Sequence, residues 1–214
     1  ELLIFLLKEK IVDKVAVTKF VYSNEGIRTR TFLTRDIQEI YDSQGSKYCP
    51  VDASEFVRSL KDNNEKFAYV GTPCLIASLR NICNIDKNIG NKLVITIANF
   101  CGGFKNYNQI YKISKRHSIS YKDISFFRFR GGGQPGSMIV KDAYGKSFEV
   151  AYPKYGGYTG YSKLLRCHLC VDATGELADI CCGDAWLDRF LQKNEPWSIV
   201  ICRTNFAEQI IEDE

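Results

Sequence analysis

Apolar and polar positions divide the first 120 residues of the chain into alternating helices and strands. Apolar residues recur every three or four positions in some segments, which predicts helices, and form short continuous runs in others, which predicts buried strands. The predicted helices cover residues 2–10, 35–41, 54–60, 75–82 and 106–117. The predicted strands cover residues 15–22, 28–32, 67–70 and 93–98. Strands that alternate with helices indicate parallel pairing and an α/β layer.

Short polar segments mark where the first of these elements end or begin. Asn24-Glu25-Gly26 is a turn signal, which predicts that the first two strands form a hairpin. Thr34 is suited to cap the helix over residues 35–41. We expect the buried face of that helix to consist of Ile37, Ile40 and Tyr41.

After Tyr121 the pattern changes to short strands separated by glycine-rich turns. These strands are predicted over residues 124–130, 138–140 and 147–152, and we expect them to pair antiparallel. Residues 155–161 are rich in Gly and Tyr, which indicates a loop that is mobile or faces a ligand. A late strand over residues 198–202 and a closing helix over residues 206–214 follow.

These elements together predict the α/β class. The expected architecture is a mixed sheet with flanking helices, a β-rich excursion and a cysteine-rich C-terminal half. The change of pattern near Tyr121 predicts an α/β core with cofactor-binding loops over residues 1–120 and a β-rich, cluster-binding part over residues 121–214. One continuous domain is the alternative.

Composition narrows the classes of function. The chain has 214 residues, 45% of them hydrophobic and 25% charged, which is ordinary for a globular protein. Its net charge of +4 is spread over scattered Lys and Arg, so no nucleic-acid surface is expected. No segment approaches the ~20 apolar residues of a membrane helix. The chain starts with Glu1 directly on a helical pattern, which we interpret as an N-terminally truncated fragment.

Cysteine carries the clearest chemistry in the sequence. The nine cysteines are an odd number in a chain of this length, which favours a reducing, cytoplasmic compartment over a disulfide scaffold. Four of them lie at the ends of predicted elements, two directly after buried strands, where ligands of α/β sheets gather. We call Cys74, Cys101, Cys167 and Cys170 the four-cysteine group.

Four thiolates suit either an iron–sulfur cluster or a zinc ion, and the residues alone leave both open. His168 lies between two of these cysteines and either faces solvent or coordinates. Cys83 and Cys202 lie on apolar faces and are interpreted as buried free cysteines. The adjacent Cys181 and Cys182 offer a replacement ligand.

Three further segments have groups that suit an anionic ligand. Ser46-Lys47-Tyr48 follows a glycine and can hold a phosphate, although a solvated lysine explains it as well. Gly71-Thr72 opens a helix, whose N–H groups attract an anion, and Thr72 can equally cap that helix. Asp184 can anchor a ribose or a ring nitrogen, or cap the segment that begins at Trp186. No Ser/His/Asp triad, Walker A motif or GxGxxG motif occurs.

Seven short motifs occur in one order along nearly the whole chain, and together they are similar to a known family. They are Gly45-Ser46-Lys47-Tyr48, Val70-Gly71-Thr72-Pro73-Cys74, Phe100-Cys101-Gly102-Gly103, Phe127-Arg128-Phe129-Arg130, Cys167-x-x-Cys170, Ala178-Asp179-Ile180 and Gly183-Asp184-Ala185-Trp186. In this order they resemble the beta-subunit family of coenzyme F420-reducing hydrogenases and dehydrogenases. The chain departs from the family pattern after Phe127-Arg128, where Phe129, Arg130 and a Gly/Gln/Pro stretch stand instead of an acidic residue, lysine and Gly-Trp.

The resemblance implies an iron–sulfur flavoprotein oxidoreductase. On the family pattern the four-cysteine group would bind a 4Fe-4S cluster that exchanges electrons with FAD, and FAD would exchange a hydride with a deazaflavin-like or unknown organic molecule. The residues implied to lie along the FAD are Ser46, Lys47, Tyr48, Gly71, Thr72 and Asp184. The implied partners are a ferredoxin or hydrogenase subunit and a small hydride acceptor.

The alternative function is a non-catalytic electron-relay or structural metal-binding subunit. The sequence leaves open the substrate, the oligomeric state, including a homo-oligomer, and a second cluster module upstream. It also leaves open whether Cys181 or Cys182 replaces a cluster ligand.

Overall fold

A six-stranded mixed sheet forms the centre of the computed structural model, which describes residues 1–62, 64–133, 135–158, 162–191 and 197–214. Its strands are β1 (Lys14–Ser23), β2 (Gly26–Thr34), β3 (Phe67–Gly71), β4 (Leu93–Asn99), β8 (Ile180–Asp184) and β9 (Ser198–Cys202). The strand order is β2-β1-β3-β4-β8-β9. The four inner strands are parallel, and β2 and β9 pair antiparallel at the two edges. The predicted α/β class and the hairpin are confirmed.

A second, three-stranded sheet forms the β-rich excursion that the sequence predicts. It consists of β5 (Ile124–Gly131), β6 (Ser137–Asp142) and β7 (Ser147–Ala151), paired antiparallel in that order. Phe127 and Phe129 of β5 are buried in one apolar cluster with Ile110 and Ile113 of a neighbouring helix. This small sheet therefore has its own core beside the large one.

Helices cover both faces of the large sheet. They are α1 (Leu2–Lys8), α2 (Ile37–Asp42), α3 (Ser54–Asp62), α4 (Pro73–Ile85), α5 (Lys87–Gly90), α6 (Asn108–Arg116), α7 (Leu165–His168), α8 (Asp188–Leu191) and α9 (Asn205–Asp213). Two 3₁₀ turns cover Tyr121–Asp123 and Lys154–Tyr158. Strand residues alternate between two apolar clusters, one with α1 and α9 and one with α3, α4 and α5. This alternation is what a sheet covered on both faces requires.

The structure corrects the prediction for the first helix after the hairpin. Asp36 caps α2, since its carboxylate accepts a hydrogen bond of 2.7 Å from Gln38 N. The Thr34 hydroxyl instead accepts a hydrogen bond from Asp36 N, so the predicted cap by Thr34 is wrong. Ile37 and Tyr41 are 43% and 46% exposed, and Ile40 alone of the predicted face is buried. The predicted buried face of this helix is therefore wrong for Ile37 and Tyr41.

Strand β8 is an element that the sequence pattern did not indicate. Only five residues long, it includes Gly183 and Asp184, which are poor strand formers. Pairing with β4 on one side and β9 on the other overrides that weak local preference. The predicted division near Tyr121 stays a prediction, and the large sheet takes strands from both sides of it.

Residues 159–161 of the predicted Gly/Tyr loop lie outside the described residues. In the described part of that loop, Tyr155 is buried against the small sheet. Among the described helices, none has the length and the apolar composition that crossing a membrane requires.

Candidate functional site

The structure places Cys101 within electrostatic range of the other three members of the four-cysteine group, at one edge of the large sheet. Cys74 lies in the first turn of α4, directly after β3, and Cys101 directly follows β4. These strands are parallel neighbours, so their carboxyl ends meet at the same edge. Burial raises the pKa of the Cys101 thiol, a hydrogen bond with the Gly103 backbone lowers it, and the charges of the other three cysteines raise it further. Cys101 therefore lies near the other three cysteines of the group.

A short antiparallel contact holds the Cys-x-x-Cys segment against the loop that carries Cys101. Leu164 N donates to Phe104 O at 3.0 Å, and Asn106 N donates to Ser162 O at 2.7 Å. Cys101 N donates to Ala173 O at 3.0 Å, beyond the second cysteine of the segment. The loop after β4 is thus hydrogen-bonded to the chain both before Cys167 and after Cys170. These bonds fix the position of the Cys-x-x-Cys segment.

Gly103 sits at the closest point of this contact. Its φ of +111° is a conformation that residues with a side chain rarely adopt. A Cβ there would lie 3.0 Å from Cys167 Cβ and 2.6 Å from Lys163 Cε. The adjacent Phe104 N–H points at Cys167 Sγ across 3.3 Å. Glycine is needed here both for the backbone conformation and for the close approach of Cys167.

The polypeptide after the Cys-x-x-Cys segment is held by two polar side chains. The Asp172 carboxylate accepts a hydrogen bond from Gly175 N at 2.7 Å. Arg203, which follows β9, donates to Gly175 O at 3.0 Å and to Thr174 O at 2.9 Å. These bonds return the chain from the cysteine site into β8.

Asp179 connects the elements that carry Cys74 and Cys101. Its carboxylate accepts hydrogen bonds from Thr96 N and Thr96 Oγ1 of β4 at 2.8 and 2.7 Å, and forms an ion pair with Arg80 of α4 at 2.8 Å. The side chain is 14% exposed. The sequence analysis included Asp179 only as one residue of a motif. Its position between the apolar residues Ala178 and Ile180 was the signal that could have indicated a buried, paired carboxylate.

Cys181 and Cys182 face opposite sides of the sheet because they are consecutive in β8. Cys181 is buried in the cluster with α4, and Cys182 packs beside Cys202 in the cluster with α1 and α9. Burial raises the pKa of Cys182 to about 11, and the charges of Cys181, Cys202 and Glu214 raise it as well.

Three more residues of metal-binding type lie outside the four-cysteine group. Cys83 is half-buried on α4, and burial raises its pKa, as expected for a cysteine on an apolar face. His168 is exposed. The fully buried Cys49 was missed from the sequence, and burial raises its pKa to about 12.

The Ser46-Lys47-Tyr48 segment is a turn stabilised by its own lysine. Lys47 Nζ donates to Ser43 O at 2.5 Å and to Gly45 O at 2.9 Å. Burial lowers the pKa of Lys47 to about 8, and the charge of Arg128 also lowers it, while Cys49 raises it. Ser46 is half-buried in the same turn. The ammonium group thus holds the shape of the turn.

The Gly71-Thr72 segment lies directly before Cys74. Thr72 occupies the N-cap position of α4 without a side-chain capping bond, and its hydroxyl lies 3.5 Å from Cys74 Sγ. A side chain at Gly71 would lie 2.6 Å from the Tyr69 ring. The first N–H groups of α4 are therefore not capped by the Thr72 hydroxyl.

Arg130 joins two of the predicted cofactor residues, Tyr48 and Asp184. Its guanidinium forms an ion pair with Asp184 and lies over the Trp186 ring at 5.0 Å and the Tyr152 ring at 5.8 Å. Burial acts to lower the pKa of Arg130, but hydrogen bonds with Asp184 and Tyr48 outweigh it and raise the pKa. Arg130 was not among the predicted site residues, although its motif was noted.

The four thiols do not form a compact site for a single ion. Across residues 1–62, 64–133, 135–158, 162–191 and 197–214, no group of three or more His, Cys, Asp or Glu side chains is arranged to hold one metal ion. A zinc ion needs its four sulfurs about 2.3 Å from one point.

Comparison with known protein families identifies the family of this chain. The sequence model for the C terminus of the coenzyme F420 hydrogenase/dehydrogenase beta subunit matches residues 64–214, and the N-terminal model of the same family matches residues 1–58. The chain belongs to this beta-subunit family. The resemblance drawn from the motifs is therefore confirmed, and both parts of the family sequence are present in the chain.

Individual relatives agree with the family models. The coenzyme F420 hydrogenase subunit beta of Methanococcus voltae is 25% identical over 223 residues, which covers 97% of this chain and 70% of that protein. A chain of the F420-reducing NiFe hydrogenase complex from Methanosarcina barkeri superposes with a TM-score of 0.71 at 18% identity, covering 99% of this chain and 69% of that one. At that identity the second similarity establishes the fold. Beta subunits of this family belong to oxidoreductases.

Proposed function

We propose that this beta-subunit family member is an iron–sulfur flavoprotein oxidoreductase that passes electrons between a 4Fe-4S cluster and FAD. The observation that carries the proposal is the convergence of the four-cysteine group, from three separate segments, at the carboxyl edge of β3 and β4. The name of the Methanococcus relative supports a deazaflavin such as coenzyme F420 as the hydride partner.

The donor set fits a cubane cluster. Each of the four thiolates would bind one iron, and the N–H of Phe104 would donate to the Cys167 sulfur, an interaction that tunes iron–sulfur clusters. Cys74 in the first turn of the thirteen-residue α4 lies where the helix dipole favours negative charge. All nine cysteines are free, which supports a reducing, cytoplasmic compartment.

The residues proposed along the FAD would bind and orient it. The N-terminus of α4 at Thr72 offers N–H groups to a phosphate. The turn of Ser46, Lys47 and Tyr48 would present its backbone, with the Lys47 ammonium holding the turn from inside. Asp184, in its ion pair with Arg130, would present polar groups to the FAD. When bound, the flavin converts one-electron steps into hydride chemistry, and the cluster supplies those steps.

The partners that fit this function are a redox protein, such as a ferredoxin or a hydrogenase subunit, and a small hydride acceptor. The solved relative belongs to an F420-reducing hydrogenase complex, which supports a hydrogenase subunit.

One observation favours a second candidate, an electron-relay or structural metal-binding subunit without flavin. Lys47 and Asp184, two of the six residues proposed along the FAD, already have partners within the chain. Such a subunit would retain the cysteine site and leave the hydride chemistry to another protein.

Anaerobic purification of the full chain tests these candidates by metal, sulfide and flavin analysis. The proposal expects about four iron and four sulfide per chain, together with FAD. Iron without flavin would support the electron-relay candidate, and zinc without flavin would support the structural one. Cys167→Ser should lose the iron, and Cys83→Ser, a half-buried cysteine on α4, should retain it. Equal iron loss in both variants would contradict the assignment of the four-cysteine group.

A further inference from the structure

Two lysines face each other beside the four-cysteine group. Lys105 and Lys163 are partners in the antiparallel bridge that holds the Cys-x-x-Cys segment against the Cys101 loop. Burial lowers the pKa of Lys105, and the charge of Lys163 lowers it further. The bridge therefore holds two positively charged side chains beside the segments that carry Cys101 and Cys167.

Lys163 is the lysine whose side chain lies beside Cys167. A Cβ atom at Gly103 would lie 2.6 Å from Lys163 Cε, 3.3 Å from Lys163 Nζ and 3.0 Å from Cys167 Cβ. The ammonium group and the first carbon of the Cys167 side chain therefore border the same small volume. Cys167 Sγ in turn lies 3.3 Å from the N–H of Phe104, in the loop that carries Cys101.

We propose that Lys163, assisted by Lys105, is a positioning residue that raises the reduction potential of the cluster held by the four-cysteine group. This inference rests on the proposed function. A 4Fe-4S core of charge 2+ with four thiolates carries a net charge of −2. One electron from a reduced partner protein makes it −3, and no bond forms or breaks. A cation beside one of the ligands stabilises the −3 state more than the −2 state.

The two lysines come from the two segments that carry these ligands. Lys163 lies four residues before Cys167, and Lys105 lies four residues after Cys101. The bridge between Lys105 and Lys163 therefore keeps both positive charges beside these two cysteines.

The test is the midpoint potential of the anaerobically loaded full chain, measured by EPR during a dithionite titration. Lys163→Gln should shift the midpoint to a more negative value, and Lys163→Arg, which keeps the charge, should stay near the wild-type value. Lys105→Gln should shift it in the same direction, which keeps the test valid if Lys163→Gln does not load. Lys112→Gln, an exposed lysine on α6, is the matched control and should leave the midpoint unchanged.

Unchanged midpoints in loaded Lys163→Gln and Lys105→Gln would overturn the inference and leave the proposed function standing. A shift of equal size in Lys112→Gln would overturn it as well, since a distant surface charge would then act equally. A wild-type chain that binds zinc in place of iron would overturn both the inference and the proposed function.

Discussion

Gly103→Ala tests whether the close approach of the Cys101 loop to Cys167 forms the cysteine site. Gly103 has a φ of +111°, where a residue with a side chain costs about 1–3 kcal/mol. The new Cβ would also lie 3.0 Å from Cys167 Cβ, so the two segments must separate by a few tenths of an ångström. Lys163 is flexible and can move away, whereas Cys167 is held by the backbone bonds on either side of it.

Gly145→Ala is the matched control. Gly145 has a φ of +88° in the turn between β6 and β7, and no atom lies within 4 Å of the position of its Cβ. Both variants should therefore lose about 1–3 kcal/mol of unfolding free energy through backbone strain, measured by urea denaturation. Only Gly103→Ala should also lose bound iron after anaerobic loading. Wild-type iron content in Gly103→Ala, with a stability loss no greater than that of Gly145→Ala, would refute the reasoning.

Two further predictions concern groups that support the site. Asp179→Asn should destabilise the protein by about 1–3 kcal/mol, because one carboxylate accepts hydrogen bonds from both Thr96 and Arg80. Urea denaturation measures this loss of unfolding free energy. A loss no larger than that of Asp62→Asn, at an exposed aspartate, would contradict the prediction. Burial lowers the pKa of Lys47 to about 8 in the folded protein, whereas the ordinary lysine value is 10.5. Between these two pH values the unfolded protein therefore binds more protons at Lys47 than the folded protein does. The contribution of Lys47 to the free energy of unfolding thus rises with pH in this window, by at most about 1.4 kcal/mol per pH unit. The difference in unfolding free energy between the wild type and Lys47→Met should rise across this window, and a constant difference would show that burial does not perturb Lys47.

Local sequence signals predicted most elements of the large sheet and all three strands of the small one. Residues 93–98 read as a buried strand because an uninterrupted apolar run is covered on both faces, as β4 is. Strand β8 was missed because its residues have weak strand preference and are held by pairing with two neighbours. The cap of α2 was misassigned by two residues, since Thr34 and Asp36 are both good capping residues.

The candidate site was predictable in part from residue type and spacing. Cysteines directly after two buried strands indicated a shared edge, because neighbouring parallel strands end on the same side. Arg130 was not predictable as the link between Tyr48 and Asp184, since these residues are far apart along the chain.

The sequence by itself determined the family, the α/β class and the residue types of the cysteine site, because these depend on motifs, periodicity and local preferences. The tertiary structure alone decided which side chains share a volume. The pairing of residues 104–106 with 162–164 placed Lys163 beside the Cys101 loop and Cys167. The alternation of side chains along β8 placed Cys181 and Cys182 on opposite faces of the sheet. Such contacts join segments far apart in the chain, and a local pattern of apolar and polar residues does not specify which segments pair.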